Sequence, residues 1–162
     1  MQRSQSGFSL IEMLITVALV GIAVAIGIPA ARGFRDTLAR GQARTQLIAD
    51  LRSARQISVT QHRSVIVAFG NGSTTTNITS YTLHVDLNGD RLKQSNEQRT
   101  FHALPKPMKI TSAAIPQHTD SLIFDTSGLL IAGSSGGRFI LAGTRGRADT
   151  LDVSAVGMVY RP

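Results

Sequence analysis

The strongest constraint on this chain is an uncharged, mostly apolar stretch near its amino terminus. After Glu12 the next charged residue is Arg32, so residues 13–31 form a run of nineteen positions without a charge. As an α-helix this run would be roughly 28 Å long, close to the thickness of a bilayer's hydrocarbon core. A carboxylate at the bilayer centre costs about 2.5–3.5 kcal/mol on insertion scales. We therefore expect a membrane-length helix whose single acid, Glu12, has a partner or a purpose.

A short polar leader precedes this stretch and completes a recognisable pattern. Residues 1–7 carry one basic side chain, Arg3, and end in Gly7, which is followed by Phe8. Counted from Phe8, Glu12 is the fifth residue and Pro29 the twenty-second. These fixed spacings resemble the amino terminus of type IV pilins and pseudopilins, and the match covers roughly residues 5–31.

The resemblance implies how this end of the chain is processed and used. A prepilin peptidase would cut after Gly7, and Phe8 would become an N-methylated new amino terminus. Glu12 would pair with the ammonium of a neighbouring subunit, which would offset the cost of an isolated charge in an apolar environment. The family setting is the bacterial inner membrane, with one membrane pass and the head in the periplasm, before assembly into a filament.

An ordinary secretory signal is the alternative interpretation of the same residues. Arg3 would be its basic end, and cleavage would fall near Ala23, Val24 and Ala25. The apolar run is longer than a typical signal core, and such a signal gives Glu12 no role. The distribution of basic residues does not support a cytoplasmic leader, because Arg32 and Arg35 follow the span. The orientation therefore comes from the resemblance alone.

Residues 32–62 are predicted to continue the helix beyond the membrane. Leu47, Leu51 and Ala54 recur at helical spacing, with Ile48 beside them, which is typical of a helix that packs on an apolar surface. Most of the net charge of +7 also lies here. Between residues 32 and 63 there are seven arginines against two aspartates. Solvated arginines explain this excess, and anionic lipid heads or acidic neighbouring subunits are the alternative partners.

From residue 63 onward the pattern changes to short strands. Apolar or alternating segments of four to six residues recur with turn residues between them, for example at 64–69, 81–85, 121–124 and 138–141. Further strands are expected at 100–104, 108–111, 129–131, 151–154 and 156–160. The fold class is therefore α+β. A long amino-terminal helix, transmembrane in its first half, packs on a small antiparallel β-sandwich or curled-sheet head at residues 63–162.

The second half adds a resemblance to a subgroup of the family. Residues 51–55 before a strand, 124–128 around a turn and 153–159 at the end are similar to minor pilins and pseudopilins of the GspH/FimT type. These proteins are structural subunits at or near the tip of a type IV pilus or a type II secretion pseudopilus. This chain has no cysteine, which departs from the commonest pattern and excludes disulfides and thiol ligands.

One polar segment offers oxygen ligands at calcium-loop spacing. Asp86, Asn88, Asp90 and Glu97 occupy positions one, three, five and twelve of such a loop. Arg91 stands where the loop requires glycine, and no helix pattern flanks the segment. We favour an exposed turn between two strands, centred on Asn88 and Gly89, and expect no metal.

DNA binding is the alternative function. Some FimT-like minor pilins act in DNA uptake, so the resemblance raises this possibility. Four arginines of the head could gather at one end and bind phosphates, namely Arg138, Arg145, Arg147 and Arg161. Asp149 and Asp152 lie nearby and aromatic residues are scarce, which weakens this hypothesis.

No motif in the chain assembles a nucleophile with its base. The segment 125–128 carries one residue too many for an aspartic-protease triplet, and the glycine-rich residues 133–137 lack the ending of a phosphate loop. We therefore predict a structural protein that is not an enzyme and has no cofactor. A membrane-tethered binding protein or enzyme outside any filament is the other alternative.

The predicted organisation has four parts. Residues 1–7 form the leader, 8–31 the transmembrane and filament-core helix, 32–62 its amphipathic continuation, and 63–162 the head. The expected partners are other pilins or pseudopilins, the prepilin peptidase and inner-membrane lipid, with DNA as a further candidate. Nothing in the residues distinguishes a pilus from a secretion pseudopilus.

Overall fold

The computed structural model describes residues 9–70, 76–94, 96–115, 120–131, 136–144 and 148–161. One helix, α1 (Leu10–Gln61), precedes eight strands. The strands are β1 (Val65–Phe69), β2 (Ser80–Val85), β3 (Gln98–Ala103), β4 (Lys109–Ala114), β5 (Ser121–Phe124), β6 (Gly137–Ala142), β7 (Asp149–Val153) and β8 (Val159–Tyr160). The chain divides into two units, Met1–Arg35 and Asp36–Pro162. The α+β prediction, with a long first helix and an antiparallel head, is confirmed.

Local hydrogen bonds explain where α1 begins and ends. The Ser9 carbonyl accepts the backbone N–H groups of Glu12 and Met13, at 3.1 and 3.2 Å. At the other end Arg63 donates its N–H to the Ser58 carbonyl at 3.3 Å, while His62 takes a left-handed φ of 52°. A left-handed residue just after the last turn is the usual way to satisfy the final helix carbonyls, and it redirects the chain into β1.

The predicted apolar stripe of α1 is the face that packs on the head. Leu47, Leu51 and Ala54 are fully buried, and Ile48 is half-buried beside them. Ala39 and Ala43 extend the stripe toward the start of the second unit. These side chains recur every three or four residues, so they form one line along the helix and enter the common core.

Two four-stranded antiparallel sheets form the head. Their strand orders are β3-β2-β1-β5 and β4-β6-β7-β8. The sheets share one core with α1, in which the rings of Phe69 and Phe139 lie 4.6 Å apart between centroids. Ile78 and Ile110 exchange backbone hydrogen bonds of 2.9 and 2.8 Å, which joins the two sheets at one edge.

Strand β1 is buried on both faces, as its unbroken apolar sequence suggests. Val65, Val67 and Phe69 enter the core, while Ile66 on the opposite face is only 1% exposed. The segment between β2 and β3 explains this second burial. Its Lys93 pairs with Asp120, which precedes β5, so the segment crosses the outer face of the first sheet.

Two predicted strands are shorter than the sequence suggested. At 129–131 only Leu130 makes an isolated bridge, to Phe124. Leu130 also donates its N–H to the Ala155 carbonyl. This residue therefore contacts both β5 and the segment that follows β7, and it does not belong to a longer strand. At 156–160 only β8 is extended, because the preceding residues form a turn in which Gly157 donates to the Ser154 carbonyl.

Candidate functional site

The first unit presents an apolar helical surface. Between Leu10 and Ile28, twelve large apolar side chains are exposed, from 78% at Leu10 to 48% at Ile28. A surface of this kind needs lipid or protein to cover it. By length and composition, this part of α1 is able to cross a membrane.

Glu12 lies in the first turn of α1, and Pro29 lies inside the helix. The positive end of the helix dipole favours a carboxylate at that place, whereas an acid in the middle of the apolar run would have no such support. Pro29 has no N–H, so the helix lacks one backbone hydrogen bond there. Gly7 and Phe8, the predicted processing residues, lie outside the described residues.

The acidic segment folds into a compact loop that differs in part from the prediction. Asn88 and Asp90 are exposed as expected, but Asp86 and Glu97 are 1% and 6% exposed. The prediction of an exposed turn was therefore wrong for these two carboxylates. Asp86 and Glu97 are brought opposite each other because their neighbours Val85 and Gln98 pair between β2 and β3.

Backbone N–H groups hold the loop carboxylates. Asp86 accepts bonds from Gly89 at 2.7 Å and from Arg91 at 2.9 Å. Glu97 accepts bonds from Leu87 and Gln94, both at 3.2 Å. Arg91 adopts a φ of 60°, the left-handed conformation that favours glycine.

This loop has some features of a cation site. One oxygen from each of Asp86, Asp90 and Glu97 lies within 4.8 Å of the others, and oxygen ligands suit calcium. The backbone hydrogen bonds nevertheless account for the arrangement without an ion. Exposed or loop-bound acids of this kind are common where no metal binds, so the cluster by itself does not identify a metal site.

Of the arginines proposed for DNA binding, the two that the structure describes, Arg138 and Arg161, each face a carboxylate. Arg138 makes two bonds to Asp152, with Nε–Oδ1 and Nη2–Oδ2 distances of 2.7 and 2.8 Å. The hydrogen bond from Arg138 lowers the pKa of Asp152 below its usual value. Arg161 Nε lies 3.3 Å from Asp149 Oδ1. Arg145 and Arg147 lie outside the described residues.

Sequence reasoning missed a polar contact between α1 and the first sheet. Asp50 accepts a hydrogen bond from the Tyr81 hydroxyl, and His102 Nδ1 lies 2.9 Å from the same carboxylate oxygen. The rings of Tyr81 and His102 are stacked, with centroids 5.4 Å apart. Burial, followed by the hydrogen bond to Asp50, raises the pKa of Tyr81. No local signal links residues so distant in sequence.

Comparisons with known proteins match both parts of the chain. A family described as "Type II transport protein GspH" matches residues 43–157, and one described as "Prokaryotic N-terminal methylation motif" matches residues 2–28. No protein with a curated description matches.

Two crystal structures of the Pseudomonas aeruginosa type IV minor pilin FimU resemble this chain. The crystal form in space group P21 is 16% identical, covers 78% of this chain and 89% of its own, and has a TM-score of 0.56. The form in P65 is 17% identical, covers 74% and 90%, and has a TM-score of 0.49. The first of these shows the same fold.

Proposed function

Since the chain belongs to the GspH family of type II transport proteins, we propose that it works as a minor pilin or pseudopilin at or near the tip of a filament. Its role is structural, in a type IV pilus or a type II secretion pseudopilus. The observation that carries this proposal is the division of α1. The first half exposes its apolar side chains, while the second half buries a stripe in the head.

Processing at Gly7 follows from the same proposal. The prepilin peptidase would cut after Gly7, and the amine of Phe8 would be methylated. The match of residues 2–28 to the N-terminal methylation motif supports this step. The cut would place a new ammonium four residues before Glu12, at the start of an apolar helix.

Glu12 is the proposed assembly residue. In lipid an unpaired carboxylate is unfavourable, whereas an ammonium from a neighbouring subunit would stabilise it. The pairing thus favours entry of a subunit into a filament over storage in the membrane. Pro29 would act in the same helix by removing one backbone bond where neighbouring helices pack.

The proposed location follows from the apolar helix. The precursor would reside in the inner membrane with a single pass and the head in the periplasm, and would then enter the filament. The same proposal divides the chain into a leader at residues 1–7, a transmembrane and filament-core helix at 8–31, its amphipathic continuation at 32–62 and the head at 63–162. Partners would be other pilins or pseudopilins, the prepilin peptidase and membrane lipid.

The structure offers little support for the alternative of DNA binding. Arg138 and Arg161 already face carboxylates, so they contribute less to a positive potential than free arginines would. The family is one of structural subunits, which supports a structural role over an enzymatic one.

Isolation of filaments from the host tests this function. Pili sheared from the cell surface and pseudopili from cells that overproduce them would be probed for the chain, with total membranes as the control. We expect the chain in one of the two filament preparations, which also identifies the system. Abundant chain in membranes together with its absence from both preparations would contradict the proposal.

A further inference from the structure

Three adjoining hollows lie along one side of α1 in the second unit. Their volumes are about 290, 400 and 440 Å³. The first two share Arg44 and Arg161, and the second and third share Arg52. We call this surface the arginine furrow and define it by Arg44, Arg52, Arg55, Arg161, Val59 and Met158.

The arginine furrow has an excess of positive charge. Asp149 is the single carboxylate among its described lining residues, and it already faces Arg44 at 3.5 Å and Arg161 at 3.3 Å. Within the described part of the chain, neither Arg52 nor Arg55 pairs with a carboxylate. Arg55 instead donates its Nε–H to the Gly128 carbonyl at 3.1 Å, which fixes its side chain against the furrow wall.

Apolar side chains line the far end of the same furrow. Met158 is 61% exposed and Val59 is 43% exposed, and both line the hollow of about 440 Å³. Exposed apolar groups beside fixed arginines suit a ligand that combines carboxylates with apolar side chains.

An open sheet edge borders the arginine furrow. Strand β8 is the last strand of its sheet and pairs only with β7 among the described strands. Ser154 donates to the Met158 carbonyl, and Asp152 lies opposite Tyr160. Because backbone groups alternate sides in an antiparallel strand, the N–H and C=O of Val159 point away from β7. An extended chain would find hydrogen-bonding partners there.

We propose that the arginine furrow binds an extended, acidic and apolar segment of a neighbouring filament subunit, which pairs with the edge of β8. Its carboxylates meet Arg52 and Arg55, while its apolar side chains contact Val59 and Met158. The partner is specified by charge complementarity and by the open strand edge. That the segment comes from a filament neighbour rests on the proposed function.

A polynucleotide fits these observations less well. Its phosphates would suit the arginines, but among the residues that the structure describes no aromatic side chain lines the three hollows to stack with bases. A phosphate backbone also leaves Val59 and Met158 without apolar contacts. A polypeptide with acidic and apolar side chains would contact both the arginines and the apolar end of the furrow.

The probe is a blocked peptide of alternating glutamate and valine. The furrow follows α1 from Thr37 to Thr60, a length of roughly 35 Å, which an extended peptide of about ten residues spans. Fluorescence polarisation would measure its binding to the full chain in neutral detergent micelles. Glutamate–serine and lysine–valine peptides and single-stranded DNA serve as comparison probes. This assay needs no filament, so its failure is distinguishable from failure of the proposed function.

We expect the glutamate–valine peptide to bind at least about tenfold more tightly than any comparison probe. Arg52→Glu reverses the charge at the residue that the second and third hollows share and should weaken binding by about tenfold or more, and Met158→Ser should weaken it less. Arg99→Ala with Lys109→Ala removes two exposed cations outside the furrow and should leave binding unchanged.

Four results would overturn the proposal. Equal binding of the glutamate–serine peptide would indicate a merely electrostatic surface. Tighter binding of DNA would assign the furrow to nucleic acid. Equal loss in the control pair, or no binding of the glutamate–valine peptide to a folded chain, would remove the furrow as a docking site.

Discussion

The Tyr81 hydroxyl of β2 donates a hydrogen bond to the Asp50 carboxylate of α1, inside the contact between the helix and the first sheet. A neutral phenol is the form that this geometry requires, because a phenolate would face the carboxylate without a shared proton. The contact therefore fastens α1 to the head as long as Tyr81 stays protonated.

We expect Tyr81→Phe to lower the free energy of unfolding by roughly 1–2 kcal/mol. The variant keeps the buried ring but loses a hydrogen bond to a charged acceptor. Calorimetry of the full chain in detergent micelles would measure the loss. Tyr160→Phe, at an exposed site, is the matched control and should have little effect. Equal stability of Tyr81→Phe and the unsubstituted chain would show that the bond contributes nothing.

The same contact predicts a dependence on alkaline pH. The pKa of Tyr81 is raised in the folded chain, from an ordinary value of 10.0, by burial and then by Asp50. Its contribution to stability is therefore complete below pH 10 and is lost as the pH rises toward the higher folded-state pKa. Unfolding measured above this pH should show a decline that Tyr81→Phe reduces. An identical decline in the variant would assign the effect to other groups.

Gly136 and Gly89 give a matched pair of backbone substitutions. Both have a positive φ, of 88° and 80°. A Cβ at position 136 would lie 1.5 Å from the Val153 carbonyl oxygen, whereas nothing lies within 4 Å of one at position 89. We expect Gly89→Ala to cost about 1–2 kcal/mol from backbone strain alone. Gly136→Ala should cost clearly more, by more than about 4 kcal/mol, or prevent folding.

Thermal unfolding of both variants would measure this difference. A smaller loss for Gly136→Ala than for Gly89→Ala would contradict the close approach of the segment before β6 to the end of β7.

Asp86→Asn tests the role of the acidic loop. The substitution replaces one carboxylate oxygen by an amide nitrogen, which cannot accept a hydrogen bond, so one of the two backbone N–H bonds to this side chain is lost. We expect a loss of roughly 1–3 kcal/mol, because the group is buried. Exposed Asn88→Ala is the control and should be milder.

Calcium titration of the unsubstituted chain and of Asp86→Asn distinguishes a loop that is held by hydrogen bonds alone from a metal site. We expect no change in the melting temperature of the unsubstituted chain on adding calcium or a chelator. A saturable rise that Asp86→Asn abolishes would instead identify a calcium site.

The large elements of this fold follow from local sequence patterns. The stripe of Leu47, Leu51 and Ala54 predicted the packed face of α1, because helical spacing fixes which side chains share a face. The burial of Asp86 and Glu97 was missed. Their protection depends on how the segment between β2 and β3 crosses a sheet, and local polarity does not report that path.

Some of the site residues could likewise be predicted from the sequence, and others could not. Glu12 and Pro29 were identified from fixed spacing, and their roles remain predictions. The Asp50–Tyr81 contact joins residues 31 positions apart and has no local signature. The arginine furrow was also missed, because it forms only where α1 lies beside the end of the chain.

Glu12→Ala and Glu12→Gln test the assembly mechanism. Both remove the charge, and glutamine keeps nearly the same size. We expect both variants to be inserted and cleaved normally but to enter filaments poorly, since the neighbour's ammonium loses its partner. Glu12→Asp keeps the charge and should retain part of the incorporation. Normal incorporation of the alanine and glutamine variants would refute the pairing mechanism.

The mass of the amino-terminal peptide of mature protein, purified from its host, shows whether the chain is cut after Gly7 and methylated at Phe8. We expect a peptide that begins at Phe8 and is one methyl group heavier than the unmodified sequence. An intact leader, or a cut near residues 23–25, would contradict it, because no ammonium would then form four residues before Glu12.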